Sequence, residues 1–294
     1  MNNKVHSYCM NNKEYRQVVK DTYSENSLRK IFNRIREVGE LKKLQKKFCD
    51  SSKKRYDSAR VNEHICEFGN VKFYLPSLVL KKGLVDGDYI QKKIFLCEDF
   101  YESEELNYLN GFLKQYYGEK KEITVCDIGA NIGNHTLYFA KVLGAKWVYS
   151  FEPVPSTFDI LKKNIEINNL HNVSLYNCAL GEVEGNGNVL VRDESNAGAN
   201  SIVYDANGVT DIKMLDSFEF DYKIDFLKMD VEGFEKSVLN GAKRILKKNH
   251  PVLYIEIFDT NYAEVLHLLE EIGYVKVDSI DKNYVFTYRD DSII

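Results

Sequence analysis

The stretch that most constrains this chain is Thr124–Thr136, which reads Thr-Val-Cys-Asp-Ile-Gly-Ala-Asn-Ile-Gly-Asn-His-Thr. A short β-prone run carries Asp127, and two glycines four apart, Gly129 and Gly133, lead into a helix-like run from Thr136 to Leu143. A strand that turns on glycine into a helix brings bare backbone and a helix N-terminus to the C-terminal edge of a sheet. Open α/β sheets bind their ligands at that edge.

The rest of the chain extends the pattern. Upstream, Val71–Leu75 before Pro76 reads as a strand and Lys93–Cys97 as a second, followed by a helix over Phe100–Tyr117 with Glu102, Glu104 and Glu105 near its start. Downstream, strands at Trp147–Phe151, Val173–Asn177, Phe226–Met229 and Val252–Ile255 alternate with helices at Thr157–Asn168, Glu235–Lys247 and Tyr262–Ile272. Two last strands, near Tyr274–Val277 and Tyr284–Tyr288, have no helix between them. Residues 182–213, rich in Gly and Asn, break the alternation with hairpin pieces at Asn188–Val191 and Ser201–Tyr204. Alternating strands and helices predict a mostly parallel, doubly wound α/β sheet, and the closing hairpin predicts an antiparallel edge strand.

The glycine spacing separates two kinds of nucleotide ligand. A dinucleotide fingerprint needs Gly-x-Gly-x-x-Gly, whereas Asn131 stands two residues after Gly129 and the pattern is Asp-x-Gly-x-x-x-Gly. An acid before the turn repels a pyrophosphate but accepts hydrogen bonds from a cationic ligand such as S-adenosylmethionine. The acids of the later strands agree. Asp127, Glu152, Asp230 and Glu256 are expected at the C-terminal ends of four strands, hence on one edge. Glu152, 25 residues after Asp127, is placed to meet the two hydroxyls of a ribose, with Pro153 and Pro155 fixing the loop. Cys178 and Ala179 are small and apolar enough to border an adenine ring, with Asn177 for its polar edge, and Asp230 and Glu232 are expected over the reactive end.

Composition limits the partners. A net charge of −4 on 294 residues argues against a globally basic nucleic-acid binder, and the six cysteines form no Cys-x-x-Cys pair, so reduced thiols and no zinc are expected. The first twenty residues hold no apolar leader and no run reaches the length of a membrane span, so a soluble cytoplasmic protein is expected. Between Arg29 and Arg55, eleven basic residues face three acids, a local charge of +8 that leaves −12 on the remainder. Leu28, Phe32, Ile35, Val38, Leu41, Leu44 and Phe48 recur there at helical spacing. The expected organisation is a basic helical extension over residues 1–60, a lead-in of strand and helix over 61–120, and the ligand-binding domain over 121–294. Packing on its own domain, a homodimer through the N-terminal helices, and contact with an anionic substrate or a membrane surface all stay open for the basic helix.

Several segments together resemble one family. Asp127-Ile-Gly-Ala-Asn-Ile-Gly133, Phe151-Glu-Pro153, Asn177-Cys-Ala-Leu-Gly181, Leu215-Asp-Ser217 and Asp225-Phe-Leu-Lys-Met-Asp-Val-Glu-Gly-Phe-Glu235 look like the FkbM family of S-adenosylmethionine-dependent methyltransferases, in order from about Tyr101 to Glu256. The resemblance implies a class I methyltransferase fold, Rossmann-like, with seven strands and a reversed last strand, and O-methylation of a hydroxyl on a sugar, such as a surface polysaccharide or nucleotide-sugar precursor, or on a related small metabolite. It implies cofactor contacts from Tyr101, Asp127, Gly129, Asn131, Gly133, Asn134, Glu152, Pro153, Cys178, Ala179 and Asp230, and catalytic work by Asp230, Glu232 and Glu256. A hydroxyl is a poor nucleophile at neutral pH, so a base or a metal is expected at its oxygen, and the three carboxylates leave Mg²⁺ open. His135 is a further candidate base. An N-methyltransferase acting on nucleic acid is the main alternative, although the Asp-Val-Glu-Gly loop adds an acid where a flipped base would stack.

Overall fold

The chain folds around a seven-stranded sheet, seen in a computed structural model that describes residues 64–81, 84–118, 122–190, 196, 198 and 200–289. The basic segment Arg29–Arg55 lies outside the described residues, and with it the expected helical extension and any dimer it forms.

A hairpin of β1 (Ile65–Phe68) and β2 (Val71–Tyr74) comes first. Two helices follow, α1 (Tyr89–Cys97) and α2 (Ser103–Tyr117). The central strand β3 (Thr124–Ile128) turns into α3 (Asn134–Tyr138), which continues as a wider π-helical turn to Leu143. Then come β4 (Trp147–Phe151), α4 (Pro155–Ile167) and β5 (Val173–Tyr176). An inserted four-stranded sheet has the order β8 (Ser201–Tyr204), β7 (Gly185–Leu190), β9 (Thr210–Lys213), β6 (Ala179–Leu180). The chain returns through β10 (Phe226–Met229), α5 (Glu235–Asn240), α6 (Lys243–Asn249), β11 (Val252–Glu256), α7 (Tyr262–Ile272), β12 (Tyr274–Ile280) and β13 (Asn283–Tyr288).

The main sheet runs β12-β13-β11-β10-β3-β4-β5. The strands β11, β10, β3, β4 and β5 are mutually parallel, and β13 is antiparallel to both neighbours. This is the class I methyltransferase fold, with its last strand reversed. The reversed strand sits one place in from the edge, which corrects the expectation of an antiparallel edge strand. Strand order reverses between β3 and β10, the place where such sheets open a ligand crevice.

Alternation along each strand feeds two cores. Cys126, Ile128, Leu227, Met229, Leu253 and Ile255 face α5, α6 and α7. Val125, Val148, Phe226, Tyr254 and Val285 face Leu106, Leu109 and Leu113 of α2 and Phe139 after α3. The lead-in packs into this same body: Asn164 and Asn168 of the α4 segment accept from the backbone N–H of Tyr74 and Lys72, the latter at 3.0 Å.

Two local readings are corrected. Residues 93–97 belong to helix α1, not a strand, because Asp88 caps its start by accepting from the Gln91 N–H at 3.0 Å and buries Gln91 and Ile94 on one face. The run from Glu235 is two helices, not one. Gly241 breaks it where a Cβ would lie 1.9 Å from the Gly181 carbonyl oxygen, and Asp216 starts the second helix by accepting from the N–H groups of Arg244 (2.7 Å) and Ile245 (2.9 Å). The hairpin expected in the 182–213 region is present, β7 pairing antiparallel with β8, and β9 and β6 extend it into the four-stranded sheet. Among the described residues, no helix is long and apolar enough to cross a membrane.

Candidate functional site

One cavity lies over the C-terminal ends of β3, β4, β10 and β11. Its first wall is the glycine loop. Gly129 has φ +78°, and a Cβ there would stand 1.8 Å from the Asp230 carbonyl oxygen, so only glycine lets β3 and β10 open side by side at this point. The N–H groups of Gly129 and Ala130 both donate to the Phe151 carbonyl, at 3.0 and 2.9 Å, which fastens the loop to the end of β4.

Glu152, just beyond β4, is 6% exposed and lines the cavity. Its Oε2 accepts from the Asn131 N–H at 2.9 Å and its Oε1 from the Val154 N–H at 2.8 Å. Burial pushes the carboxyl up to about 7, against the lowering effect of those two bonds and of Lys228. Asn131 adopts φ +50° and its own side chain accepts from the Ile132 N–H at 2.7 Å, so its N–H points at Glu152 as part of a closed turn. Next to this acid, Phe151, Cys178, Ala179, Leu180, Val189 and Ile202 form an apolar wall.

The opposite end is crowded with carboxylates. Asp230 and Glu256 stand at the ends of β10 and β11, and Glu232 lies in the loop between, at φ +52°. One carboxylate oxygen from each falls within 4.8 Å of the others. Burial, then the charge and hydrogen bond of Asp230, then Glu232 and Glu102, raise the Glu256 carboxyl well above the ordinary range. Asp230 Oδ1 is enclosed and meets no donor among the described residues. Glu235 is fully buried and holds the loop from below: its Oε1 accepts from the Gly233 N–H at 2.7 Å and its Oε2 from Asn261 Nδ2 at 2.9 Å. The Asp-Val-Glu-Gly-Phe-Glu segment thus divides into acids that line the cavity and one that shapes the loop.

The lead-in closes a third side. Tyr101 and Asn134 exchange two hydrogen bonds of 2.9 Å, backbone N–H to Oδ1 and Nδ2 to backbone carbonyl, which fastens residues 101–102 over the start of α3. Glu102 Oε2 lies 3.4 Å from His135 Nε2, and both line the cavity with Tyr101. Burial alone would raise Glu102, but His135 and Lys228 outweigh it and hold the carboxyl below its ordinary value.

Of the residues expected from sequence, Tyr101, Gly129, Asn131, Asn134, Glu152, Pro153, Cys178, Ala179, Asp230, Glu232 and Glu256 line this cavity together. Three do not. Asp127 lies inside β3 rather than at its tip and is 0% exposed; its Oδ2 accepts from Thr136 at 2.6 Å beneath α3, so it supports the floor and cannot accept directly from a ligand. Gly133 meets Leu161, where a Cβ would stand 2.6 Å from Cδ1, and serves the turn into α3. Asn177 turns its amide to the carbonyls of Glu152 (2.8 Å) and Pro153 (3.3 Å), bracing their loop instead of facing a ring edge.

Sequence reasoning missed Lys228. It is 3% exposed in the middle of β10, donates to the Gly129 carbonyl at 3.0 Å, and lies 3.6 Å from Asp127 Oδ1 and 3.7 Å from Asp230 Oδ2. Burial works against its charge, but Asp230, Asp127, Glu102 and Glu256 outweigh it and hold the ammonium above its usual value. The signal was a lysine inside Phe226-Leu-Lys-Met229, an otherwise apolar strand.

With this geometry in place, comparison with known proteins gives a consistent set of relatives. A family model described as the methyltransferase FkbM domain matches residues 127–276, about half of the chain. Methyltransferase 1 of Beauveria bassiana (strain ARSEF 2860) is 28% identical over 177 residues, 51% of this chain and 71% of that protein. Methyltransferase sdnD of Sordaria araneosa is 29% identical over 154 residues, 40% of this chain and 60% of that one. Among solved structures, the methyltransferase FkbM of Methylobacillus flagellatus KT is 20% identical with a TM-score of 0.44, and the match spans 57% of this chain but only 44% of that chain. TYW2 of M. jannaschii, solved in complex with AdoMet, is 14% identical with a TM-score of 0.32, over 71% of this chain and 82% of that one.

Proposed function

We propose that this chain, which belongs to the FkbM methyltransferase family, is an S-adenosylmethionine-dependent O-methyltransferase whose acceptor is a hydroxyl on a sugar or a related small metabolite. Family membership implies the cofactor, and the cavity fits it. The Glu152 carboxylate has one backbone donor on each oxygen and a second lone pair free on each for adjacent ribose hydroxyls. The apolar wall of Phe151, Cys178, Ala179 and Leu180 suits a flat ring, and the acid-rich end suits a cation. When bound, S-adenosylmethionine supplies an electrophilic methyl group on a sulfonium.

The observation that carries the acceptor reading is the enclosed Oδ1 of Asp230 on the cavity wall. A buried carboxylate oxygen without a fixed donor is satisfied by a ligand donor, and a hydroxyl supplies one. Asp230 then holds the hydroxyl and takes its proton, while Glu232 and Glu256 orient the neighbouring substrate groups. Close positioning supplies much of the remaining rate. The acid lining disfavours a phosphate near the reacting hydroxyl, and it disfavours nucleic acid for the same reason.

A methyl-transfer screen with radiolabelled S-adenosylmethionine, against free sugars, nucleotide sugars and small polyhydroxylated metabolites, tests this reading. Label is expected in an alkali-stable ether of a neutral acceptor. The same screen with a chelator decides the Mg²⁺ expectation: undiminished transfer would leave the carboxylates as bases and orienting groups. Transfer to nucleic acid or to amines alone would overturn the O-methylation reading.

A further inference from the structure

We infer that Lys228 is the countercharge that sets how strongly this cavity prefers the sulfonium cofactor over its thioether product. The inference rests on the reading that the cavity takes S-adenosylmethionine. That reading does not use Lys228, whose place in the middle of the sheet would ordinarily be filled by an apolar side chain.

Four carboxylates face this ammonium, each from a different element. Asp127 comes from β3 and is its direct lateral neighbour in the parallel register; Asp230 follows β10, Glu102 precedes α2, and Glu256 ends β11. The ammonium lies 3.6 and 3.7 Å from the first two and donates to the Gly129 carbonyl at 3.0 Å, so one buried side chain joins the glycine loop to the acid at the opposite end. Lys228 and Asp230 both line the cavity.

Charge arithmetic gives the consequence. The ligand enters with a sulfonium and leaves without it, so the electrostatic potential of the cavity acts on the first form and hardly on the second. Without Lys228 the cavity would be more negative by one unit in a poorly screened place, and the cation would be held more tightly relative to the neutral product. A site that binds the charged ground state too tightly gains nothing in turnover. Lys228 limits that preference.

The test compares binding of S-adenosylmethionine and S-adenosylhomocysteine by calorimetry at pH 8, in the full chain and in three variants. Lys228→Gln should raise the affinity ratio of cofactor to product about tenfold, and Lys228→Arg should leave it near the wild-type value. Asp127→Asn removes a negative charge from the same cluster with almost no change of shape, and should lower the ratio several-fold. It keeps the inference testable if Lys228→Gln does not fold. A side chain that only braces the sheet would weaken both ligands alike, so an unchanged ratio in Lys228→Gln or in Asp127→Asn overturns the inference. Failure of the wild-type chain to bind either ligand would overturn the cofactor reading itself, and the inference with it.

Discussion

The two ends of the cavity are held in different ways. At the glycine-loop end, backbone groups do the holding: Gly129 and Ala130 donate to Phe151, and the N–H groups of Asn131 and Val154 fix the two oxygens of Glu152. At the acidic end, Asp230, Glu232 and Glu256 crowd together and are held by charge, with Lys228 as the counterion beside Asp230. Backbone-held groups keep their geometry whatever the ligand does, which suits recognition of a constant cofactor. Charge-held groups respond to a proton or a cation, which suits chemistry.

Exchanging one atom at the acidic end should have the largest effect. Asp230→Asn keeps the shape and removes the base, and methyl transfer to the acceptor found by the screen should fall by ~10²–10⁴-fold. Affinity for S-adenosylhomocysteine, a neutral ligand, should change by less than about threefold. Near-normal turnover in this variant would move the base elsewhere, with His135 beside Glu102 the next group to test.

Gly129→Ala attacks the other end through its backbone. The added Cβ meets the Asp230 carbonyl oxygen at 1.8 Å in a left-handed residue, so thermal unfolding should show a loss of about 3 kcal/mol or more. Gly185→Ala is the control, because nothing lies within 4 Å of a Cβ there. Equal stability of the two variants would mean that β3 and β10 are not held as closely as described.

Glu152 gives a smaller, pH-dependent effect. Its carboxyl is raised by burial to about 7, and in the proposed reading it is the ionised form that accepts from the two ribose hydroxyls. Affinity for S-adenosylmethionine should therefore be level above that value and decline as pH falls through it. The stability term has the opposite sense. A carboxyl raised above its unfolded value of about 4.3 stabilises the fold most at low pH and loses that contribution as pH rises towards 7. Glu152→Gln should weaken the cofactor by about 1–3 kcal/mol at pH 8 and abolish the pH dependence of binding. A variant that kept the pH dependence would assign it to another group.

Asp216→Ala should have the smallest effect and lies outside both ends. Its carboxylate caps α6 through Arg244 and Ile245, so a loss of about 1 kcal/mol in stability is expected with unaltered ligand affinity. A changed affinity would show that this motif residue reaches the site after all.

The same contrast explains what could be read from the chain. The glycine loop and Glu152 were legible because their conformations follow from local sequence: glycine where φ is positive, and an acid one residue past an apolar strand. Asp230 was legible for the second reason, and Glu256 because it closes the otherwise apolar β11. Asp127 was misplaced because one residue of strand boundary decides whether a side chain points into the ligand edge or beneath α3, and local pattern does not fix that residue. Lys228 was missed because its role comes from its neighbour across the parallel register and from two carboxylates distant in sequence. The single-helix reading from Glu235 failed for a similar reason, since Gly241 is required by the approach of Gly181 and not by anything local.

A structure of the chain with S-adenosylhomocysteine bound is the sharpest test. The ligand is expected in this cavity, with its ribose hydroxyls on Glu152, its ring against Cys178 and Ala179, and its sulfur towards Asp230. A ligand lying the other way round, or ribose hydroxyls away from Glu152, would contradict the proposed reading.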